Sequence, residues 1–422
     1  MKVAFYLPNK NCNSDCTEVD KGNPGIGGTE YMIIAMAYHL MICQDIHKIT
    51  VLAQNDQRLP RQCCVKKVQN VLKAVSFCKE DDIDCLIVQN SPETNSLFQE
   101  KLGDLKLIIW AHSFMSRKQW NLYANSANVK RIVCVGNEEL ELYCDHRAFK
   151  KSTVIFNAFP IPSDKPNLLE FSKRKDEVTF LASIVPHTHF DMLARVWKKV
   201  LLSIPNAHLN VIGTGNLYNN NDVLGKYHIA QEKYEQSFIQ YLLDDEGRIL
   251  PSVTFWGRLG KEKYDILEKT KVGVVNPGGY ETFCISAVEM QLYGAKVVSC
   301  RKGGLLDTVY EVGNLFVSED DFADYIVNAL RAKEYDYERA FLFLKNKFSF
   351  EVICQEWEKL LDEVDKDTPL KQHIVGSKFT TKLHRLRYAN KKMKSIIPYG
   401  FYWMPCMKFY ETFWNRFKCM FL

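Results

Sequence analysis

The sequence predicts an α/β protein with two doubly wound, Rossmann-like domains, each built on a parallel sheet. Its 422 residues exceed one ordinary domain and suffice for two, each with its own core. Short apolar runs alternate with segments of helical length, which is typical of a parallel sheet covered by helices. The series stops at a polar segment and then starts again, which indicates a second domain of the same kind.

The apolar runs define the domain boundaries. The first series is VAFYL, ITVLA, CLIVQ, LIIWA, RIVCV and TVIF, and the second is VTFLAS, LNVIG, VTFWG, VGVVN, AKVVSC and NLFVS. We therefore predict a first domain over 1–161, a linker over 162–175 and a second domain over 176–349. An amphipathic helix over 350–370 is expected to close the core, and a tail follows over 371–422.

Two glutamates in the second series point to a binding site. Glu281 and Glu289 lie eight residues apart in NPGGYETFCISAVEM, so on one helix they would not share a face. A better interpretation places Glu281 in a loop and begins the helix just after it, with Thr282 as the N-cap. The exposed amides of that first turn would attract an anion, and they belong to Phe283, Cys284 and Ile285.

Composition excludes several classes of protein. With 46% hydrophobic and 25% charged residues the chain is globular, and it has no apolar stretch of membrane-spanning length. The start, MKVAFYLPNK, is unlike a signal peptide, so we expect a cytoplasmic protein. The fourteen cysteines are interpreted as reduced core thiols, and Cys12/Cys16 and Cys63/Cys64 lack the further ligands that a zinc site needs.

The positive charge is concentrated in the tail. Of 55 Lys and Arg residues, eleven follow Leu370, where Glu411 is the single acid, so the first 370 residues carry 44 bases and 49 acids. This distribution argues against a nucleic-acid partner. Between 378 and 422 the bases alternate with Phe, Tyr, Trp and Met, which suits an anionic membrane surface. A tail packed back onto the first domain, or a dimer contact, remains an alternative.

Several motifs together resemble the GT-B glycosyltransferases, and in particular the retaining family 4, also called glycosyl transferases group 1. The E-x7-E block is followed by GAKVVSCRKGG over 294–304, in the family's order and spacing. The resemblance covers most of the chain, with PGIGGTE at 24–30, WAHS at 110–113, FNAF at 156–159 and VIGTGNLY at 211–218. It implies two Rossmann-like domains that face each other across a cleft.

The resemblance also implies roles for individual residues. Glu281 would contact hydroxyls of the donor sugar, and Glu289 would accept hydrogen bonds from the nucleotide ribose. His112, directly after the run LIIWA, would line the catalytic centre. The glycines Gly27 and Gly28 would let the backbone approach the donor closely. The nucleotide sugar is a substrate, and no cofactor or metal is implied, since helix amides and cations would hold the diphosphate.

One departure from the family pattern concerns those cations. The family often has an Arg and a Lys after the first strand of the second domain, where this chain has Ser183 and Thr188 in ASIVPHTH. Charge on the leaving diphosphate must be neutralised in some other way. Arg258, which follows the run VTFWG, is the expected substitute, with His187 or His189 as further donors.

The expected function is transfer of a sugar from a nucleotide sugar to a glycan or lipid-linked acceptor, with retention. The product would be a surface polysaccharide, lipopolysaccharide or capsule, made at the inner face of the membrane. A catalytically silent glycan-binding or scaffolding subunit is an alternative from another class, and a GT-B sugar-nucleotide epimerase is an alternative within the enzymes.

Overall fold

The structure is a computed structural model that describes residues 1–12, 14–43, 47–56, 58–216, 223–371 and 383–421. Side chains of the last helix are described as far as Trp414. Leu217 and Tyr218 of the predicted loop VIGTGNLY, and residues 372–382 and 422 of the predicted tail, lie outside these ranges.

The chain forms two compact units. The first comprises residues 1–10, 32–157 and 353–422, and the second comprises 11–31 and 158–352. The glycine-rich segment 24–30 therefore belongs to the second unit, although it is close to the N-terminus, and the tail belongs to the first.

The sheet of the first unit is entirely parallel, with the strand order β3-β2-β1-β4-β5-β6-β7. Each predicted apolar run forms one of its strands. The short strand β3 was not predicted, because its sequence VKK has no apolar run and two of its side chains are exposed. The strands are β1 (Lys2–Leu7), β2 (Lys48–Ala53), β3 (Val65–Lys67), β4 (Cys85–Gln89), β5 (Lys106–Ala111), β6 (Val129–Cys134) and β7 (Ser152–Val154).

The sheet of the second unit is also parallel, with the order β10-β9-β8-β11-β12-β13. All six predicted runs of the second series form its strands. They are β8 (Glu177–Leu181), β9 (His208–Ile212), β10 (Val253–Gly257), β11 (Val272–Val274), β12 (Lys296–Cys300) and β13 (Leu315–Phe316). The fold class is thus the one predicted, with two Rossmann-like parallel sheets.

Helices connect the strands of both sheets. Those assigned wholly or mainly to the first unit are α1 (Gly28–Cys43), α2 (Val71–Glu80), α3 (Pro92–Asn95), α4 (Arg117–Asn125), α5 (Asn137–Glu141), α13 (Phe350–Asp365), α14 (His384–Ile396), α15 (Gly400–Trp403) and α16 (Met407–Phe421). Those of the second unit are α6 (Phe190–Ser203), α7 (Glu232–Phe238), α8 (Lys263–Leu267), α9 (Ile285–Leu292), α10 (Leu305–Thr308), α11 (Phe322–Arg331) and α12 (Tyr337–Phe348).

Apolar residues fill the core of each unit at the positions that the patterns predict. In the first unit Phe5, Trp110 and Trp357 form a buried aromatic cluster, in which the Trp110 and Trp357 ring centroids are 4.9 Å apart. Trp357 is on α13, so this helix does pack onto the core of the first sheet. None of the helices in the described part of the chain has the length and apolar character needed to cross a bilayer.

The strand order places one reversal in each sheet. In the second unit the chain moves from β8 outward to β10, then returns to continue at β11 on the other side of β8. In open α/β sheets ligands bind outside the carboxyl ends of the strands at such a reversal. A binding site is therefore expected at the loops that follow β8 and β11.

Candidate functional site

The loops after β8 and β11 pack closely against each other in the second unit. The loop after β11 begins with Asn276 and contains Gly278 and Gly279. A Cβ at Gly278 would lie 2.8 Å from the His189 ring, and one at Gly279 would lie 2.7 Å from the His187 carbonyl oxygen. Both positions thus require glycine for close packing. The Cys300 thiol donates to the Gly279 carbonyl at 3.4 Å and helps to hold the loop.

Glu281 lies in this loop, ahead of the helix, as the sequence indicates. The Asn276 side-chain amide donates to its carboxyl group. The backbone carbonyl of Glu281 accepts a hydrogen bond from the Gly304 amide at 2.7 Å. Burial raises the pKa of the Glu281 carboxyl to about 7. At neutral pH the protonated and ionised forms of this carboxyl group therefore coexist.

Gly303 and Gly304 form a second pair of glycines, which packs against the backbone of the Glu281 loop. Gly303 has φ +60°, and a Cβ there would lie 2.1 Å from the Glu281 carbonyl oxygen. A Cβ at Gly304 would lie 2.4 Å from the Cα of Phe283. The glycine turn that follows β12 therefore lets two backbone segments touch, and it determines where Glu281 lies.

The start of α9 differs from the prediction. The N-cap is Cys284, in the left-handed conformation with φ 74° and ψ 76°, and Thr282 is not the cap. Neither a side-chain cap bond from Cys284 nor an acidic residue in the first turn is present. The backbone bends twice between Glu281 and Ile285, because Gly303 and Gly304 occupy the space under that segment. The helix thus begins two residues later than a Thr282 cap would place it.

Glu289 is buried in α9 and pairs with a cation that sequence inspection missed. Its carboxylate lies 2.8 Å from the Lys263 ammonium group, and both side chains are almost fully buried. Lys263 also donates to the Asn23 carbonyl at 3.0 Å. The pair therefore links α9, α8 and the segment 11–31 within the second unit. In the sequence Lys263 lies among charged residues in RLGKEKYD, a pattern typical of an exposed surface.

The glycine-rich segment near the N-terminus meets the start of α9. A Cβ at Gly28 would lie 3.6 Å from Ile285 Cδ1, an ordinary contact distance. The Gly27 carbonyl accepts the first hydrogen bond of α1, from the Tyr31 amide at 3.0 Å. Asn23 caps the preceding turn, with its side chain accepting from Gly25 and Ile26 at 2.9 Å. Residues 257 positions apart in sequence are thus neighbours in the second unit.

Arg258 follows β10 and reaches the same segment. It is exposed, and its guanidinium donates to the Ser14 hydroxyl. Nearby, the Cys16 thiol is hydrogen-bonded to Cys12 and, with Arg258, lowers the pKa of the Cys12 thiol. Burial, together with the negative charge of Cys12, raises the pKa of Glu30 to about 7. Arg258 therefore contributes a permanent positive charge to this part of the second unit.

Ser183 and Thr188 occupy a self-contained turn after β8. The Thr188 hydroxyl donates to the Ser183 carbonyl at 2.6 Å, and both side chains are buried. Beside them, a Cβ at Gly213 would lie 1.8 Å from the Ala182 carbonyl oxygen. The first glycine of the GTG sequence is therefore required for close packing of the two backbone segments. Burial, and then the neighbouring His189, lowers the pKa of His187. At neutral pH His187 is thus a neutral hydrogen-bonding group.

His112 is in the first unit, directly after the carboxyl end of β5. Its backbone amide donates to the Asn90 side chain at 3.0 Å, and its ring centroid lies 4.4 Å from that of Trp110. Loss of solvation lowers the pKa of His112 to about 3. The imidazole is therefore neutral at physiological pH, and it can exchange hydrogen bonds without carrying charge.

Within the described residues, no three His, Cys, Asp or Glu side chains come together in a way that could hold a metal ion. The chemistry that the second unit offers is instead a helix N-terminus at α9, a partly protonated carboxyl at Glu281 and a guanidinium at Arg258. Such a set can bind an anion together with a group rich in hydroxyls.

Comparison with known proteins shows which family the second unit resembles. Residues 175–332, most of the second unit, match the family model described as Glycosyl transferases group 1. The second unit is thus similar to the glycosyl transferases of group 1, and the two Rossmann-like parallel sheets give the chain the GT-B type of fold.

Solved structures share the fold at low sequence identity. Sucrose-phosphate synthase from Thermosynechococcus elongatus matches with a TM-score of 0.63 and 14% identity, covering 87% of this chain and 100% of that chain. HepE from Anabaena, in complex with UDP-glucose, matches with a TM-score of 0.60 and 15% identity, covering 86% and 100%. A glycosyltransferase from Rickettsia africae matches with 0.59 and 12%, covering 87% and 99%. No curated protein sequence matches.

Proposed function

We propose that the protein is a retaining glycosyltransferase that moves a hexose from a nucleotide sugar to a glycan or lipid-linked acceptor in surface-polysaccharide biosynthesis. One observation supports the donor part of this proposal: the Glu281 loop, the start of α9 and Gly28 lie together within one unit. The HepE structure, which contains UDP-glucose, supports a nucleotide sugar as the donor. We further propose that the protein is cytoplasmic and acts at the inner face of the membrane.

In this proposal the donor binds along the second unit. The diphosphate lies against the first-turn amides of α9, where the helix dipole favours negative charge. Glu281, when ionised, accepts hydrogen bonds from sugar hydroxyls. Because its pKa is raised, these hydrogen bonds lower the pKa again and increase the fraction of Glu281 that is ionised. Glu289 accepts from the ribose, which requires that it share its carboxylate between the ribose and Lys263.

The transfer step breaks the bond between the sugar's anomeric carbon and the diphosphate oxygen and forms a bond to an acceptor hydroxyl. The acceptor proton passes to the departing phosphate oxygen on the same face, so no carboxylate nucleophile is needed. Arg258 stabilises the charge that develops on the diphosphate, in place of the cations absent at Ser183 and Thr188. His112 remains the predicted contact of the sugar's 6-hydroxyl or the acceptor, and its neutral imidazole suits that task.

The test is a screen of nucleotide sugars by thermal shift, with the full chain, followed by detection of the released nucleoside diphosphate. We expect one donor to raise the melting temperature, and Glu281→Gln to lower transfer at least tenfold, about 1.4 kcal/mol of transition-state contact.

A chelator should leave transfer unchanged. Arg258→Ala should weaken binding of the nucleoside diphosphate by about tenfold, whereas Arg195→Ala, an exposed cation on α6, should not.

Each alternative predicts a different outcome of this screen. A silent glycan-binding or scaffolding subunit would bind a donor or a glycan but release no nucleoside diphosphate, and the tight Ser183–Thr188 turn is the observation that favours it. An epimerase would convert the nucleotide sugar without an acceptor. Wild-type turnover in Glu281→Gln would rule out the proposed donor site.

A further inference from the structure

A groove in the first unit lies between the turn Arg147–Lys151 and the tail helices α14 and α15. Its volume is about 1150 Å³. Six cations line it, and no Asp or Glu is among its lining residues: Arg147, Lys150, Lys151, Lys391, Lys392 and Lys394. Like charges gathered in this way repel one another, so binding an anion in the groove would relieve that repulsion.

Three of these cations are available to a ligand. Lys151 donates to the Ser126 carbonyl and Lys394 to the Asp145 carbonyl, each at 2.7 Å, so these two help to hold the fold. Lys391 lies against the Phe149 ring, with its Nζ 4.1 Å from the ring centroid. The three available cations, which have no carboxylate within ion-pair distance in the described part of the chain, are Arg147, Lys150 and Lys392. Aromatic rings lie beneath two of them, with Arg147 Cζ 5.0 Å from the Tyr402 ring and Lys150 Nζ 5.7 Å from the Phe401 ring.

Large apolar side chains surround the cations and face solvent. The exposed fractions are 73% for Ile396, 79% for Tyr399, 72% for Tyr402 and 64% for Trp403. Leu386 and Met393, also exposed, lie seven residues apart on α14 and so share one face of it. An apolar surface of this kind marks an interaction site. Aliphatic side chains do not stack on bases, so the pattern favours a lipid over a nucleic acid.

Buried polar contacts hold this surface in place. Arg387 on α14 forms an ion pair with Glu141 at 2.7 Å, and both side chains are fully buried. The Asn390 side chain donates to Asp145 at 2.6 Å, and the Met407 amide donates to the same carboxylate at 2.7 Å. The tail is therefore packed back onto the first unit through its inner face, while its outer face carries the exposed rings and cations.

We propose that this groove binds the phosphate of an anionic membrane lipid, with Arg147, Lys150 and Lys392 on the phosphate and the rings at headgroup depth. The proposal deepens the membrane part of the proposed function by assigning the residues. It does not depend on which sugar is transferred.

The experiment compares sedimentation of the full chain with vesicles of phosphatidylcholine alone and of phosphatidylcholine mixed with phosphatidylglycerol. We expect binding to the mixed vesicles only. The combined variant Arg147→Gln, Lys150→Gln, Lys392→Gln should bind them at least tenfold more weakly, since each suitably placed cation contributes about 1 kcal/mol. Tyr402→Ser with Trp403→Ser should abolish the binding that persists at high salt.

The matched control changes three exposed lysines of the second unit to glutamine, namely Lys198, Lys233 and Lys269. It removes the same charge and should leave vesicle binding unchanged. Equal binding by the two triple variants would overturn the proposal. So would groove-dependent binding of an RNA oligonucleotide in preference to vesicles. The donor's thermal shift, measured on the same proteins, separates failure of the groove from failure of the proposed transferase.

Discussion

At the scale of single residues, the two glutamates of the site have different environments and should respond differently to mutation. Glu281 lies in a loop, where its carboxyl group accepts a hydrogen bond from the Asn276 side-chain amide, and burial raises its pKa to about 7. Glu289 is buried in α9 against Lys263. Replacing Glu281 removes a carboxyl group whose ionisation burial disfavours. Replacing Glu289 instead leaves the buried Lys263 ammonium group without its counter-charge.

Glu281→Gln should change how stability depends on pH. The pKa of an ordinary glutamate is 4.5, and that of folded Glu281 is about 7, so the folded protein holds its proton more tightly. The free energy of unfolding of the wild type should therefore fall as pH rises from about 4.5 to about 7, and this loss should be smaller in the variant by about 2–3 kcal/mol. Urea denaturation at pH 5 and pH 8 measures it. Parallel pH profiles for the two proteins would contradict the raised pKa.

Lys263 and Glu289 should be strongly coupled. Either Lys263→Met or Glu289→Gln alone leaves one buried charge unpaired and should cost about 3 kcal/mol or more. The double variant should lose much less than the sum, which a double-mutant cycle in urea detects. If Glu289 also contacts the ribose, the double variant should still bind the donor about tenfold more weakly. Additive losses would show that the two side chains do not depend on each other.

At the scale of elements, the position of the site depends on backbone contacts between loops that are distant in sequence. The turn at Gly303 and Gly304, after β12, supports the segment from Glu281 to Phe283, after β11. The left-handed Cys284 then turns the chain into α9. These contacts determine where α9 begins, so a change at Gly303 or Gly304 should influence donor binding without touching the donor.

Gly303→Ala should displace the Glu281 loop. A Cβ there would meet the Glu281 carbonyl oxygen at 2.1 Å, and φ is +60°, which disfavours any side chain. We expect a loss of about 2 kcal/mol or more in the free energy of unfolding, together with weaker donor binding. Gly313→Ala is the matched control, because a Cβ at Gly313 meets nothing within 4 Å. Similar losses in both variants would mean that general glycine effects, and not this contact, are responsible.

At the scale of the whole molecule, the chain returns to the first unit after the second, and its tail is part of that unit's core. The fully buried Arg387–Glu141 pair and the bonds to Asp145 connect α14 and α16 to the segment that follows β6. The tail is thus a structural element as well as the proposed membrane surface. Removing it entirely would expose Glu141 and Asp145, so point substitutions test the membrane role more cleanly.

Arg387→Ala should destabilise the first unit strongly. It leaves the Glu141 carboxylate buried without its 2.7 Å partner, which costs about 3–5 kcal/mol. Arg385→Ala, two residues earlier on the exposed side of α14, should change stability by no more than about 0.5 kcal/mol. Tryptophan fluorescence in urea measures both, and an equal response would indicate that the buried pair contributes little.

Local patterns in the sequence determined the two parallel sheets, the loop position of Glu281, the helical position of Glu289 and the short tail helices separated by Pro398 and Pro405. These features depend on apolar periodicity and on backbone restrictions that neighbouring residues impose, and both can be recognised in a single sequence. The strand β3 and the Thr282 cap were the failures at this level, because three-residue strands and cap positions depend on what lies opposite them.

Only the tertiary structure decided which distant residues meet. The pairing of Lys263 with Glu289, the contact of Gly303 with the Glu281 carbonyl and the contact of Gly28 with Ile285 all join segments that the sheet order brings together. The same is true of the tail, where Arg387 and Asn390 pair with Glu141 and Asp145 more than 240 positions away. A buried charge looks like an exposed one in the sequence, since its cost and its compensation arise only when a partner is folded against it.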